Sequence, residues 1–479
     1  MRSTTNSSAN QPQNKWLAML GIGLGVLMYT IDTSAVNIVL PTLVQELNTT
    51  FATIQWVVLS YLLVITALVL GAARLGDMFG KKQLYLGGLI VFTISSLLCG
   101  LAPGVHWLIG FRALQGFGAV FISALGTAII TEVFPTSERG RALGIIGAVV
   151  SLGVALGPTV GGLLIKIAGW RTIFWVNIPI GIIATFIIIR FVPASSGSRV
   201  KQRFDALGAL IITATLTCFA LGMTDGQNQG FTSTSTLILM AIAAIGLACF
   251  LALEAKIKHP MLDLSIFHNL QFSLSLLTGV LVFVVIAGII FILPFFLQWV
   301  KQYTTQQIGL LLAVSPILGG IIAPISGSLS DRFGPRVIST TGLVLMVIGC
   351  LQCSTFDTQL TELGYIVRVV PFGLGFGMFQ SPNNSAIMGG VSREKLGIAS
   401  GLLSLTRTLG QTAGLPLLGA IFASLTLSNA NLPPYTDIKA APIEALVYGV
   451  QGAFQIAALI LGLAVLVSVV VWRMERFSR

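Results

Sequence analysis

Fourteen stretches of this chain are each long and apolar enough to cross a bilayer, and that removes most of the folds open to 479 residues. A helical span needs about 20 predominantly apolar residues. The stretches run near 16–40, 52–73, 83–103, 107–131, 142–165, 172–193, 206–223, 234–253, 272–299, 305–329, 337–355, 363–387, 397–425 and 446–472. Some hold no charge at all, such as 142–165 and 270–300. Others are bounded by turn-rich sequence, such as Asp225-Gly-Gln-Asn-Gln-Gly230. Charged residues make up only 9% of the chain, against roughly 25% in soluble domains. A polar surface cannot be built from so few charges, which excludes a soluble enzyme and a nucleic-acid binder. The expected fold class is an all-α polytopic membrane protein. Its first span reads as retained, because it is long and lacks a small-residue cleavage site. The five cysteines lie in apolar segments and read as small hydrophobes.

The net charge of +11 then has a topological meaning, since Lys and Arg accumulate in loops that stay in the cytoplasm. An even number of spans puts both termini on one side. Twenty Lys and Arg fall in segments on that side, from Arg2 and Lys15 to Arg476 and Arg479. Four fall on the other: Lys166, Arg171, Lys301 and Lys439. The bias predicts a multi-pass protein of the cell (inner or plasma) membrane with both tails, 1–15 and 473–479, in the cytoplasm.

The chain also repeats itself. Asp77 and Gly80, after the second span, recur as Asp331 and Gly334 after the tenth, at an offset of 254. Gly116, Gly118, Gly140, Gly144, Gly153 and Gly157 recur as Gly373, Gly375, Gly397, Gly401, Gly410 and Gly414, at an offset of 257. Arg112 recurs as Arg368. Spans 1–6 (16–195) and 9–14 (263–472) therefore read as two copies of a six-helix bundle, and 196–262 as a linker carrying two inserted helices. Two such halves in one chain are a secondary-transporter architecture, with a site between halves that rock about it.

The motifs on these spans resemble those of the major facilitator superfamily, and within it the fourteen-span drug:proton antiporters of the EmrB/QacA type. The resemblance covers nearly the whole chain from Trp16 onward. Span 1 carries Asp32-Thr-Ser-Ala-Val-Asn37 and Leu40-Pro41. The loop after span 2 carries Ala73-Arg-Leu-Gly-Asp77-Met-Phe-Gly80-Lys-Lys82, with Ala73 in place of a usual Gly and Met78 in place of a usual basic residue. Span 4 carries Arg112-Ala-Leu-Gln115-Gly116, similar to the proton-coupling arginine motif. Span 5 carries Gly153-Val-Ala-Leu-Gly157-Pro158-Thr-Val-Gly161-Gly162, similar to the antiporter signature. Trp170-Arg171 and Asn177-Ile-Pro179-Ile-Gly181 also fit. The resemblance implies a major facilitator fold and proton-coupled multidrug efflux.

Individual residues carry the chemistry. Asp32 is the one acid deep within a span. A charge at such depth costs about 2.5–3.5 kcal/mol on the insertion scale, so it marks function by default. Arg112 enters at a similar depth and is expected to pair with it when substrate is absent; together they are the candidate proton-coupling residues. Gly153, Gly157 and Gly161 form a stripe at helical spacing, which with Pro158 suggests a hinge-like, proton-tight contact between the halves. Asp77 with Gly80, and Asp331 with Gly334, are candidates for state-dependent caps on neighbouring helices. Tyr61, Gln380, Asn383, Asn384 and the odd mid-span Arg407 are candidate substrate contacts, because polar groups are expensive in lipid. The aromatic residues of spans 9 and 12 are further candidates for a flat apolar pocket.

Other classes fit poorly. The chain has no Gly-x-x-x-x-Gly-Lys-Ser/Thr phosphate loop, and its three His are scattered in loops. No row of channel selectivity groups is evident. The tails are too short for a signalling domain, which argues against a transporter-like receptor. Neither cofactor, catalytic group nor metal site is expected. The partners are a small molecule, protons and lipid, with a monomer as the simplest state. The sequence leaves two readings open: proton-driven export of small lipophilic compounds, neutral or monocationic, or export of an endogenous metabolite such as a glycoside or siderophore-like compound.

Overall fold

The computed structural model describes residues 11–135, 138–193, 205–257, 267–389, 396–433 and 436–477. Among them every regular element is helical. Fourteen helices are long and apolar enough to cross a membrane, and they appear where the apolar stretches predicted them. Span 1 is Gln11–Glu46, span 2 is Phe51–Ile54 with Trp56–Phe79, span 3 Lys81–Gly100, span 4 Val105–Val133 and span 5 Arg139–Ala168. Span 6 is Thr172–Trp175 with Asn177–Phe191, span 7 Ala206–Gln229 and span 8 Thr234–Glu254. Span 9 is Leu270–Phe295 closing in a π turn at Phe296–Val300, span 10 Thr305–Phe333 and span 11 Pro335–Cys353. Spans 12 to 14 are Glu362–Gly389, Leu396–Asn429 and Ile443–Phe477. Span 7 corrects one expectation. Its helix runs through the Asp225–Gln229 segment read as a turn and stops only at Gly230, whose φ of 90° ends it.

The sequence repeat is a structural repeat. A Cβ on Gly116 would lie 2.7 Å from the Tyr61 carbonyl oxygen, and one on Gly373 2.9 Å from that of Ser315. Gly118 meets the backbone of Gly88, as Gly375 meets that of Gly342. Each pair brings the same two helices of its half into backbone contact, which only glycine permits at these positions. The loop glycines match as well: Gly80 has φ 96° and ψ 124°, and Gly334 φ 88° and ψ 145°. The inserted pair packs against span 2 and span 13 through span 7.

The halves meet on the side opposite the termini. Phe51 of span 2 packs its ring against Phe291 and Phe295 of span 9 and Phe422 of span 13, at 5.0, 4.9 and 5.5 Å between centroids. Lys166 donates to Gln306 Oε1 at 2.8 Å. Spans 5 and 10 touch backbone to backbone: a Cβ on Gly162 would lie 2.5 Å from the Thr305 carbonyl oxygen, and one on Gly309 would collide with that of Pro158. Deepest in this seam, the Thr66 and Thr412 hydroxyls lie 3.1 Å apart. Among the described residues no hydrogen bond or ion pair joins spans 1–6 to spans 9–14 on the terminal side of that pair. The described hydrogen bonds between the halves lie on the far side, down to the Thr66–Thr412 pair, and spans 5 and 10 run alongside each other across the junction.

Candidate functional site

Two polar clusters lie within the membrane-spanning part, one in each half. The first is centred on Asp32, 0% exposed, and Arg112, 1% exposed. Span 1 is apolar on nearly all sides, so Asp32 is buried by spans 3, 4 and 6 rather than facing lipid. Arg112 Nη1 donates to Asp32 Oδ2 at 2.6 Å, and its Nε donates to the Val57 carbonyl of span 2 at 3.0 Å. Gln115, one turn along span 4, accepts from Arg112 Nη1 at 2.6 Å. Its Nε2 donates to Asp32 Oδ1 at 3.0 Å and to Ser96 Oγ at 2.8 Å. Asn177 Nδ2 at the head of span 6 donates to Asp32 Oδ1 at 2.9 Å. The carboxylate thus accepts from three donors on two helices. Losing one partner of such a pair costs about 3–5 kcal/mol, because the other charge stays buried. One polar atom is unmatched: Asn177 Oδ1 is buried with no hydrogen-bond partner among the described residues.

The structure thus brings Asp32 and Arg112 together as the sequence predicted. It adds Ser96, Gln115 and Asn177, which appeared in the sequence at most as motif members. The available signal was their polarity inside apolar spans, since such groups need partners in lipid. Tyr61 joins this cluster rather than the candidate substrate contacts. Its ring lies 4.3 Å from the Arg112 guanidinium, and it is 1% exposed.

The glycine stripe of span 5 is also placed differently from expectation. Gly153 faces Thr30, Gly157 would put a Cβ 2.5 Å from Ser34 Cβ, and Gly161 faces Ala35. The stripe therefore lets span 5 lie on span 1 of its own half, around the turns that carry Asp32. The contact between halves is made by the adjacent face of span 5, at Pro158 and Gly162. The backbones of Asp77 and Asp331 end spans 2 and 10; their side chains lie outside the described part of the structure, so the proposed caps are not visible.

The second cluster is a cavity of about 140 Å³ in the C-terminal half, lined among others by Phe283, Phe379, Gln380, Asn383, Asn384 and Arg407. Spans 9, 12 and 13 form its walls. Four of the five candidate substrate contacts meet there. Arg407 holds its guanidinium 5.4 Å from the Phe283 ring centroid, and among the described residues it makes no hydrogen bond or ion pair. Gly279 keeps the cavity open, since a Cβ there would lie 2.9 Å from Thr406 Cγ2. The cavity lies on the terminal side of Thr412, below the seam. Of the expected aromatic lining, Phe379 belongs to the cavity. Phe291 and Phe295 seal the far side with Phe51, and Phe296 stacks on Phe356 at 5.3 Å.

Comparison with known proteins places this geometry. The Major Facilitator Superfamily model matches residues 22–415 and 304–479. The riboflavin transporter RibZ of Clostridioides difficile is 35% identical over 426 residues, covering 89% of this chain and 92% of that protein. The multidrug resistance protein Stp of Mycobacterium tuberculosis is 34% identical, covering 89% and 79%. The tetracenomycin C resistance and export protein of Streptomyces glaucescens is 30% identical, covering 90% and 81%. Among solved structures, a bacterial homologue of the lysosomal transporter Spinster, inward-facing and unoccupied, has a TM-score of 0.71 at 16% identity, covering 96% of this chain and 98% of that one.

Proposed function

The chain belongs to the major facilitator superfamily, and from that premise we propose that it is a proton-driven exporter of small lipophilic compounds working by alternating access. Membrane transport of a small molecule follows from the family and its relatives; the driving ion and the direction are our reading. The observation that carries it is the buried Asp32–Arg112 pair, the one place where a described acid lies deep among the spans with its partner beside it.

In this reading the terminal side is the cytoplasm, as the distribution of Lys and Arg supports, and the far-side contacts between the halves suit an inward-facing state. Asp32 is then the proton carrier. A proton arriving from outside neutralises its carboxylate and removes the attraction of Arg112 for it. The new O–H needs an acceptor, and the unmatched Asn177 Oδ1 supplies one beside it after a turn of the amide. Arg112 keeps its bonds to Val57 and Gln115, so it remains partly satisfied. Because span 5 rests on Thr30, Ser34 and Ala35 through its glycines, a change in span 1 is felt by the helix that also touches span 10. That gives proton binding a mechanical route to the junction of the halves. With one deep carboxylate, the simplest stoichiometry is one proton inward per substrate outward.

The alternative, export or transport of an endogenous metabolite, is favoured by one observation: the similarity to a riboflavin transporter. Both readings share the same machinery and differ in cargo. Transport in vesicles with an imposed pH gradient, over a panel of drugs and vitamins, separates them. Asp32→Asn should abolish gradient-driven accumulation while leaving the protein folded in the membrane. Uphill movement by that variant after a pH jump would refute Asp32 as the carrier.

A further inference from the structure

We infer that the cavity around Arg407 binds flat compounds through a hydrogen-bond-acceptor edge, such as an imide, carboxylate or phenolate, and selects against cations. The inference rests on reading that cavity as the substrate's, and it narrows the expected neutral or monocationic cargo. Three observations carry it. First, Arg407 brings a permanent positive charge about a third of the way along span 13, and its guanidinium has neither hydrogen bond nor ion pair among the described residues. A planar guanidinium presents five donors in a fixed fork that matches the paired oxygens of a carboxylate, and a single N–H of it can donate to one imide carbonyl. In a structure where Arg112 fills its own donors with Asp32, Gln115 and Val57, the contrast is direct.

Second, the remaining polar lining is made of neutral amides. Gln380 and Asn384 make no hydrogen bond among the described residues, and Asn383 is engaged only through a long contact to the Ser275 carbonyl at 3.5 Å. Amides can donate to or accept from a polar ring edge, but they do not neutralise a cation. Among the described residues no carboxylate lines the cavity. A cationic ligand would therefore meet a like charge without a counter-ion. Third, Phe283 and Phe379 line the same cavity and give it aromatic walls suited to a flat aromatic body. At about 140 Å³ the cavity holds the recognised edge of a ligand, not a whole drug-sized molecule. The body would extend from it toward the terminal side.

The test is binding to the purified full chain in detergent, with no pH gradient. The probes are three derivatives of one tricyclic aromatic scaffold carrying an imide, a carboxylate or a trimethylammonium group. The imide and carboxylate probes should bind at least tenfold more tightly than the ammonium probe. Arg407→Gln should weaken the first two about tenfold and leave the third unchanged or tighter. Arg407→Lys should recover the carboxylate in part and more than the neutral imide, because a point charge keeps the attraction to an anion but not the fork. Equal or tighter binding of the ammonium probe to the natural protein overturns the inference without any variant. So does an unchanged ranking in a folded Arg407→Gln protein, or no binding by any probe. Failure of proton-driven export is seen separately, as absent accumulation under a pH gradient with the probe ranking intact.

Discussion

A methyl group added at Gly162 or Gly309 should open the far side of the protein. At Gly162 the new Cβ falls 2.5 Å from the Thr305 carbonyl oxygen, and at Gly309 it strikes that of Pro158. Carbon and oxygen rest at about 3.3–3.6 Å even in close helix contacts. Both obstacles are backbone, so no side-chain rotation relieves the overlap and the two helices must separate by most of an ångström. Overpacking of this kind costs about 1–3 kcal/mol. The cost falls only on the state in which spans 5 and 10 touch, and 1–3 kcal/mol is a shift of about 5–150-fold in the equilibrium between states. A reporter cysteine at Gln55, which is 0% exposed and faces Gly419 in the seam, reads this directly. In a background without native cysteines, its rate of maleimide labelling in detergent should rise at least fivefold in Gly162→Ala and Gly309→Ala. Gly147→Ala on the same span 5 is the control, because a Cβ there meets nothing within 4 Å. Labelling of the seam variants at the control rate would refute both the contact and its role in closure.

Two further outcomes follow from the same geometry. Arg112→Lys cannot hold Asp32, Gln115 and the Val57 carbonyl from one fork, so coupling should fall severely while the protein still inserts; normal gradient-driven transport in that variant would count against the pair. For orientation, cysteines placed at Asn228 or Leu432 should react with an impermeant reagent from outside intact cells and those at Ser198 or His259 should not, the reverse pattern placing the termini outside.

Much of this was legible because lipid imposes two simple demands. Apolar length gave the fourteen spans, and the cost of a buried charge singled out Asp32 and Arg112. The glycine repeat was visible as spacing, but its contacts were not. Gly153, Gly157 and Gly161 share a stripe whichever helix they meet, and spacing alone cannot say whether that neighbour belongs to the same half. The seam itself rests on Gly162, next to the stripe but off it, and on Gly309, which has no glycine counterpart in the first half. Tyr61 looked like a pocket residue because a polar aromatic in a span needs a partner; its hydroxyl accepts from Thr33 Oγ1 at 3.2 Å and its ring meets Arg112, contacts set by the packing of span 2 on spans 1 and 4. The helical continuation of span 7 to Gln229 was hidden by residues with weak intrinsic preference, overridden by tertiary contact.

The repeat also explains why the two polar clusters are unlike. Gly153 meets the Leu27 carbonyl and Thr30, and Gly410 meets the Val280 carbonyl and Phe283, so Thr30 and Phe283 hold equivalent places in spans 1 and 9. In that register the position of Asp32 is taken by Val285, which is fully buried. On span 12 the register of Gly373 and Gly375 puts the buried Val369 in the place of Arg112, and Arg368 lies one residue off it; its Nε donates to Thr355 Oγ1 at 3.0 Å and its Nη1 to the Gly364 carbonyl at 3.3 Å, near the far end of span 12. Conversely Arg407 stands where the first half has Val150. Each half therefore keeps one deep cation and drops the other. The first retains a carboxylate that closes on its arginine and leaves no room for a ligand. The second offers an arginine that rests on the Phe283 ring and makes no hydrogen bond or ion pair among the described residues, beside a cavity. In the proposed reading the first half is the one suited to holding a proton and the second the one suited to holding cargo, with the Thr66–Thr412 contact and the span 5–span 10 seam as the points through which either can bias the other.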